Sequence, residues 1–365
     1  MVTMLHIVET LTPYGGVPIK LLNLAQRLDA NQGRLVFAVF QPALLDEAMR
    51  KAGARVRVIG STSPLRIVRM LDRAIHDEAP TLVCSHHTRG LLTGYVAAKR
   101  RGIPLVHHEH SSAHYRTGVG RLAARVILPR VDRIICNSIY TQRSIEAAYP
   151  GTAHKACHVY DPVEERVSSK DALKVRDELG ICENDIVIGH IGGLIPQRDQ
   201  ATLIRAIAIL RRSCPQVKLL LVGDGPERAR LESLAHTLDL ADNALFTGYR
   251  DAGDLLGTMD LYVNPCLDEG FGIAVVEAMF AGLPVVIARA GSHPELIVDG
   301  QSGFLYQAGD PDALAARLLR LIHDPDDARR MGAKARMHAE QHFTTSRFLS
   351  GYLAAIQPAL NTLTS

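Results

Sequence analysis

A chain of 365 residues with 47% hydrophobic and 22% charged side chains has the make-up of an ordinary globular protein and the length for two α/β cores rather than one. Its longest apolar runs, such as Leu219-Leu-Leu-Val222, fall far short of the roughly 20 residues a membrane span requires, and residues 1–50 lack the pattern of a secretory leader. The net charge of +3 is unevenly spread: residues 1–165 carry 21 Lys and Arg against 13 Asp and Glu, a net +8, whereas residues 166–365 carry 20 against 25, a net −5. A basic first half suits an anionic partner, either a phosphorylated acceptor or an anionic membrane surface, or is plain solvated charge. Six cysteines (Cys84, Cys136, Cys157, Cys182, Cys214, Cys266) contain no C-x-x-C pair, which fits reduced thiols in a cytoplasmic protein better than a disulfide frame or zinc knuckle.

Taken in order, short apolar runs alternate with amphipathic stretches, the rhythm of parallel sheets. Strands are predicted near Leu5–Glu9, Leu35–Phe40, Val56–Ile59, Thr81–Ser85, Leu105–His108 and Arg133–Asn137, with helices over Val17–Leu28 and Thr88–Arg100. A polar stretch, Asp161 to Asp185, reads as a linker. Beyond it strands are predicted near Ile186–Ile191, Lys218–Val222, Ala244–Thr247, Asp260–Asn264 and Val285–Ala288, then helices over Asp312–His323 and Ala328–Gln341. The reading is two Rossmann-like doubly wound domains, 1–165 and 166–345, facing across a cleft. A final amphipathic helix over 346–365 is expected to pack back on the first domain. Ligands of such sheets bind at the carboxyl ends of the strands.

Five sets of residues could carry chemistry. Glu269-Gly-Phe-Gly-Ile-Ala-Val-Val-Glu277 follows the predicted strand ending at Asn264, and strand, glycine turn, helix is the layout that aims backbone N–H groups at an anion. Two carboxylates so placed suit a hydroxyl-rich ligand; otherwise Glu277 is a surface residue and Glu269 a helix-dipole partner. Thr12-Pro-Tyr-Gly-Gly-Val17 opens the first helix and is either an ordinary turn or a backbone cradle. His86, His87, His107, His108, His110 and His114 crowd one region, but neighbours on a strand face opposite ways, so His108 and His110 share a face and a metal would need a third ligand from elsewhere. A metal-free site is preferred. The Asp-x-Asp pairs Asp310-Pro-Asp312 and Asp324-Pro-Asp326 read as helix starts. Arg116, Arg121, Arg125, Arg130 and Arg133, interspersed with Leu122, Val126 and Ile127, form either a membrane-surface helix or, preferably, an ordinary helix with its apolar side on the sheet. No nucleic-acid module accompanies it.

The acidic bracket Glu269…Glu277 resembles that of the retaining glycosyltransferase family 4, and the resemblance extends over essentially the whole chain. Ile191-Gly-Gly-Leu194 with Gln197-Arg198 resembles the family's phosphate loop. Leu221-Val-Gly-Asp-Gly-Pro226, Phe246-Thr-Gly-Tyr249 and Asp299-Gly-Gln-Ser-Gly-Phe-Leu305 stand where it has similar stretches. The resemblance implies the two-domain GT-B fold and transfer of a hexose-type sugar from a nucleotide diphosphate, UDP before GDP, to a saccharide, lipid-linked or small-molecule acceptor, with no metal or other cofactor. It implies that Glu277 holds the ribose, Glu269 with Phe271 and Gly272 the transferred sugar, and that the Ile273 N–H faces the diphosphate, with Arg198 neutralising it. It places Tyr249 by the base, His110 by the reacting sugar carbon, and Gly15, Gly16 and Gly193 against the donor. The family usually carries arginine where this chain has Gly193, so Arg198 acts alone or Arg289 or another cation assists. Tyr14, Thr88 and Ser111–Thr117 are expected near the acceptor. A nucleotide-sugar epimerase of similar architecture and a non-catalytic sugar-nucleotide-binding subunit are the alternatives.

Overall fold

The structure, a computed structural model, describes residues 2–12, 16–29, 31–41, 44–61, 63–166 and 170–361. The chain forms two compact units. One takes the residues up to Pro162 together with the helix Thr345–Asn361; the other runs from Val163 to Thr344.

In the first unit seven parallel strands, β1 (Val2–Val8), β2 (Gly33–Val39), β3 (Arg55–Val58), β4 (Leu82–His86), β5 (Leu105–Glu109), β6 (Arg133–Cys136) and β7 (Ala156–His158), lie in the order β3-β2-β1-β4-β5-β6-β7. In the second, β8 (Ile186–Ile191), β9 (Val217–Val222), β10 (Ala244–Gly248), β11 (Leu261–Asn264), β12 (Val285–Ala288) and β13 (Phe304–Tyr306) lie in the order β10-β9-β8-β11-β12-β13. The two orders are the same for six strands: each sheet starts at a central strand, winds to one edge, returns and winds to the other. Parallel strands are covered by helices on both faces, which is why runs such as Leu35–Val39 and Leu219–Val222 are buried without alternation. The reversal falls between β1 and β4 in one unit and between β8 and β11 in the other, and there the strand ends diverge to leave a crevice.

Two features depart from expectation, and a third, the packing of the terminal helix, follows it. β7 and β13 were not predicted, since three residues are too few to show a period. The polar stretch 161–185 contains a helix, Ala172–Glu178, capped by the Asp171 carboxylate, which accepts from the Leu173 N–H at 3.0 Å. The terminal helix Thr345–Asn361 places Phe348, Tyr352, Ile356 and Ala359 in the core of the first unit beside Met4, Phe37 and Cys84.

Candidate functional site

In the second unit the crevice is built by the segments following β8, β9 and β11. After β8 the backbone passes Gly192 and Gly193 into a short 3-10 turn, Pro196–Arg198, and on into the helix Gln200–Leu210. The loop after β9 packs against it backbone to backbone: a Cβ on Gly223 would lie 2.2 Å from the Gly192 carbonyl oxygen, and one on Gly225 2.3 Å from that of Leu194. Gln200 Nε2 donates to the Gly193 carbonyl at 3.0 Å and lies 3.3 Å from His190 Nε2, while His190 Nδ1 is 2.9 Å from the Val263 carbonyl. The floor of the predicted phosphate loop is therefore locked from below.

Past β11, Glu269 is nine-tenths buried and accepts from Arg198, with Asn264 Nδ2 3.5 Å from the same oxygen. The charge of Glu269 holds the Arg198 guanidinium firmly protonated. Gly272, at φ 98°, turns the chain into the helix Ile273–Phe280, and its carbonyl accepts from the Val275 and Val276 N–H groups, so the positive end of the helix is set at the turn with the Ile273 N–H foremost. Glu277 stands one turn further on. Burial raises its carboxyl above the usual range, and Arg166, which donates from Nε to Oε1 at 2.5 Å, opposes that without cancelling it. Tyr249, just beyond β10, is largely exposed and its hydroxyl donates to the Asp224 carbonyl at 3.3 Å. Thus Arg198, Glu269, Gly193 and the Ile273 helix end gather around the β8–β11 switch point. Arg289 is instead half-exposed and bound to Asp299 at 2.9 Å.

In the first unit the crevice holds histidines. His86 ends β4, and His87, the next residue, takes φ 56°, an unusual conformation for a non-glycine. His110 follows β5. His86 Nδ1 lies 3.0 Å from His110 Nε2, and His6 Nδ1 lies 3.0 Å from His86 Nε2. His107 points the other way, to Ser85 Oγ at 2.9 Å, as strand alternation requires. Beneath it Glu109 is buried against Arg116. Burial disfavours its charge, but Arg116 and His107 prevail and hold the carboxyl at about 2. Arg116 is therefore not part of an exposed basic face. The preference for an ordinary helix over Gly118–Ile127 needs amending too: Ala124 and Ile127 face the core, but Val119, Leu122 and Val126 are exposed, at 81%, 66% and 50%. Gly16 begins the helix Gly16–Arg27, whereas Tyr14 and Gly15 lie outside the described residues. Asp310 and Asp324 cap helices through their side chains, as expected.

Sequence reasoning missed Arg166, Asn264, His6, Tyr352 and the buried pair Lys20–Asp161 at 2.6 Å. Only Lys20, a charge among the largely apolar positions of its helix, left a local signal.

Two doubly wound parallel sheets, one with a strand–glycine turn–helix bracket between two glutamates, have the architecture of the GT-B class. Residues 14–166 match the model of glycosyltransferase family 4 and residues 171–338 that of the group 1 glycosyl transferases, so the chain belongs to the family 4, group 1 glycosyltransferases. It is 33% identical over 196 residues to N-acetyl-alpha-D-glucosaminyl L-malate synthase of Bacillus anthracis, a match spanning 53% of this chain and 51% of that protein. With D-inositol 3-phosphate glycosyltransferase of Streptomyces scabiei it shares 31% identity over 284 residues, 71% of this chain and 64% of the other. The matched region thus spans half to two thirds of these relatives. Among solved structures, Anabaena HepE in complex with UDP-glucose superposes with a TM-score of 0.87 at 26% identity, covering 100% of both chains.

Proposed function

We propose that this chain transfers a hexose-type sugar from a nucleotide diphosphate, UDP in preference to GDP, with retention of anomeric configuration, onto a saccharide, lipid-linked or small-molecule acceptor in cell-surface polysaccharide or glycoconjugate synthesis. The observation that carries this is the Arg198–Glu269 pair beside the N-terminus of the helix Ile273–Phe280, at the switch point of the second sheet. A cation and the positive end of that helix serve the diphosphate, and two buried carboxylates serve hydroxyls. The preference for UDP is supported by the whole-chain likeness to a protein solved with UDP-glucose.

In this reading the bond from the anomeric carbon to the diphosphate oxygen breaks as the acceptor oxygen bonds to the same face. The acceptor proton passes to the departing diphosphate. Arg198 and the Ile273 N–H stabilise the charge that develops there, while Glu269 and His110 hold the sugar. Gly16, Gly193, Phe271 and Gly272 admit the donor by close backbone approach, Glu277 takes the ribose, and Tyr249 stands by the base. The reading is metal-free, and the use of both Asp-x-Asp motifs as helix caps supports it.

For the acceptor side, the exposed stripe Val119, Leu122 and Val126 beside Arg121 and Arg125 supports peripheral contact with an anionic membrane on the cytoplasmic face, where lipid-linked acceptors sit. No helix of the described residues is long and apolar enough to cross a membrane.

Thermal-shift titration against UDP, GDP, ADP and their sugars tests the donor assignment, because a ligand that binds the native state raises the melting point. UDP and one UDP-sugar are expected to do so, and turnover of that sugar with an acceptor present to be unaffected by EDTA. An epimer formed from the donor alone would favour the epimerase alternative. Binding without any turnover would favour the non-catalytic one.

A further inference from the structure

We propose that Tyr352, acting through His6 and His86, fixes His110 as the neutral tautomer carrying its proton on Nδ1, so that His110 offers an N–H to a ligand. The four residues form one hydrogen-bonded line. The Tyr352 hydroxyl lies 3.4 Å from His6 Nε2, His6 Nδ1 3.0 Å from His86 Nε2, and His86 Nδ1 3.0 Å from His110 Nε2. The far nitrogen, His110 Nδ1, is buried with no partner among the described residues.

A neutral imidazole has one N–H and one bare nitrogen, so the direction of the first bond sets all the others. Tyr352 decides it. The phenol has one proton and three neighbours: His6 Nε2, Cys84 Sγ at 3.5 Å and Met4 Sδ at 3.7 Å. Sulfur is a weak acceptor and a thioether cannot donate, whereas a bare imidazole nitrogen is a strong acceptor. The phenol O–H therefore goes to His6 Nε2, and the Cys84 S–H can serve the phenol oxygen. His6, accepting at Nε2, carries its proton on Nδ1 and donates to His86. By the same step His86 donates to His110 Nε2. The proton of His110 is left on Nδ1.

The line holds only while each ring is neutral, since an imidazolium donates from both nitrogens. The surroundings enforce neutrality. His6 and His86 are fully buried, His108 stacks on His86 with centroids 4.5 Å apart, and the buried Lys20 ammonium adds positive charge nearby. Burial first and Lys20 second push His6 down to about 3. An unpartnered buried N–H is costly, and a sugar hydroxyl oxygen is an acceptor that would satisfy it.

The inference deepens the proposed function, resting on it for the identity of the ligand but not for the tautomer. The test is ring-nitrogen NMR of the full chain labelled with 15N-histidine at pH 7.5, with His110 assigned by loss of its signals in His110→Gln. The expected wild-type result is a protonated Nδ1 and bare Nε2 at His110. In Tyr352→Phe, which removes only the hydroxyl, the tautomer should become mixed or reverse, with turnover falling about fivefold. An Nε2-protonated His110 in the wild type, or an unchanged tautomer in Tyr352→Phe, overturns the proposal. The wild-type spectrum decides by itself should that variant not fold. If the tautomer behaves as expected but His110→Gln turns over donor normally, the positioning role of Tyr352 stands and the assignment of His110 to the donor sugar falls.

Discussion

Arg166 Nε donates to Glu277 Oε1 at 2.5 Å, an ion pair between residues 111 positions apart in which the carboxylate is almost fully buried. Burial raises the Glu277 carboxyl and Arg166 partly offsets it, so the group takes up its proton at a higher pH than an ordinary glutamate. The ionised form, which can accept two ribose hydroxyls, is therefore lost as pH falls through that raised value. Affinity for UDP, measured by calorimetry from pH 4.5 to 8, should show an acid limb above the usual carboxylate range. Arg166→Ala should move that limb further toward neutrality. An identical limb in both proteins would refute this account.

For the free protein the sign reverses. A carboxyl raised above its unfolded value contributes stability that is complete at low pH and lost as pH rises through the folded value. Glu277→Gln should accordingly keep or raise the melting temperature at pH 8 while abolishing the rise that UDP produces. A melting temperature clearly below that of the wild type at pH 8 would count against it.

The pair Arg198–Glu269 should behave as a unit. Removing Arg198 leaves a nine-tenths buried carboxylate without its cation, whereas removing both charges does not. Arg198→Ala is expected to cost about 3 kcal/mol of stability, the low end for a broken buried pair because the arginine side chain keeps 30% exposure. The double variant with Glu269→Gln should recover at least half of that in urea denaturation, and both variants should lose turnover severely. Additive stabilities would show that the two side chains are not coupled.

What could be read from the sequence was local. β11, the glycine turn and the helix bearing Glu277 occupy residues 261–280, so their order and spacing are visible as a single motif. The strands of both sheets other than the three-residue β7 and β13 announce themselves by apolar runs for the same reason. The partners that tune the site come from far along the chain. Tyr352 meets His6 across 346 positions and Lys20 meets Asp161 across the length of the first sheet, and no periodicity encodes such a meeting. Arg166 sat in a stretch that reads as linker because its neighbours are polar. The Arg116–Glu109 pair was hidden in an apparent basic stripe because burial is a tertiary property.

Gly291 supports Glu269 from behind. At φ 55°, a Cβ there would lie 2.4 Å from the Glu269 carbonyl oxygen and 2.5 Å from its nitrogen, backbone atoms that cannot move without carrying the side chain with them. Gly291→Ala should cost about 2 kcal/mol or more in stability and lower turnover at least tenfold. Gly282, at φ 75° with open space around its Cβ, provides the comparison: Gly282→Ala carries the backbone strain alone and should lose about 1 kcal/mol with turnover retained. Equal losses of turnover in the two variants would show that the approach to Glu269 is unimportant.

Gly193 stands where the family resemblance leads one to expect arginine, and a Cβ would fit there without a clash. A Cβ at this position would meet only the Asp224 carbonyl oxygen, at 3.8 Å, and its φ is not in the left-handed region. The Gln200 side chain that braces the loop binds the Gly193 carbonyl, which any residue retains. A second guanidinium beside Arg198 would add charge-assisted hydrogen bonds to a diphosphate, offset by ordering a flexible side chain. Gly193→Arg should therefore tighten UDP binding about five- to tenfold, roughly 1 kcal/mol, with a stability change within about 0.5 kcal/mol. The gain should shrink as salt rises, since part of it is Coulombic and the loop is partly exposed. Unchanged or weaker UDP binding in a folded Gly193→Arg protein would mean that the diphosphate does not lie over this loop, and the assignment of the site would have to move with it.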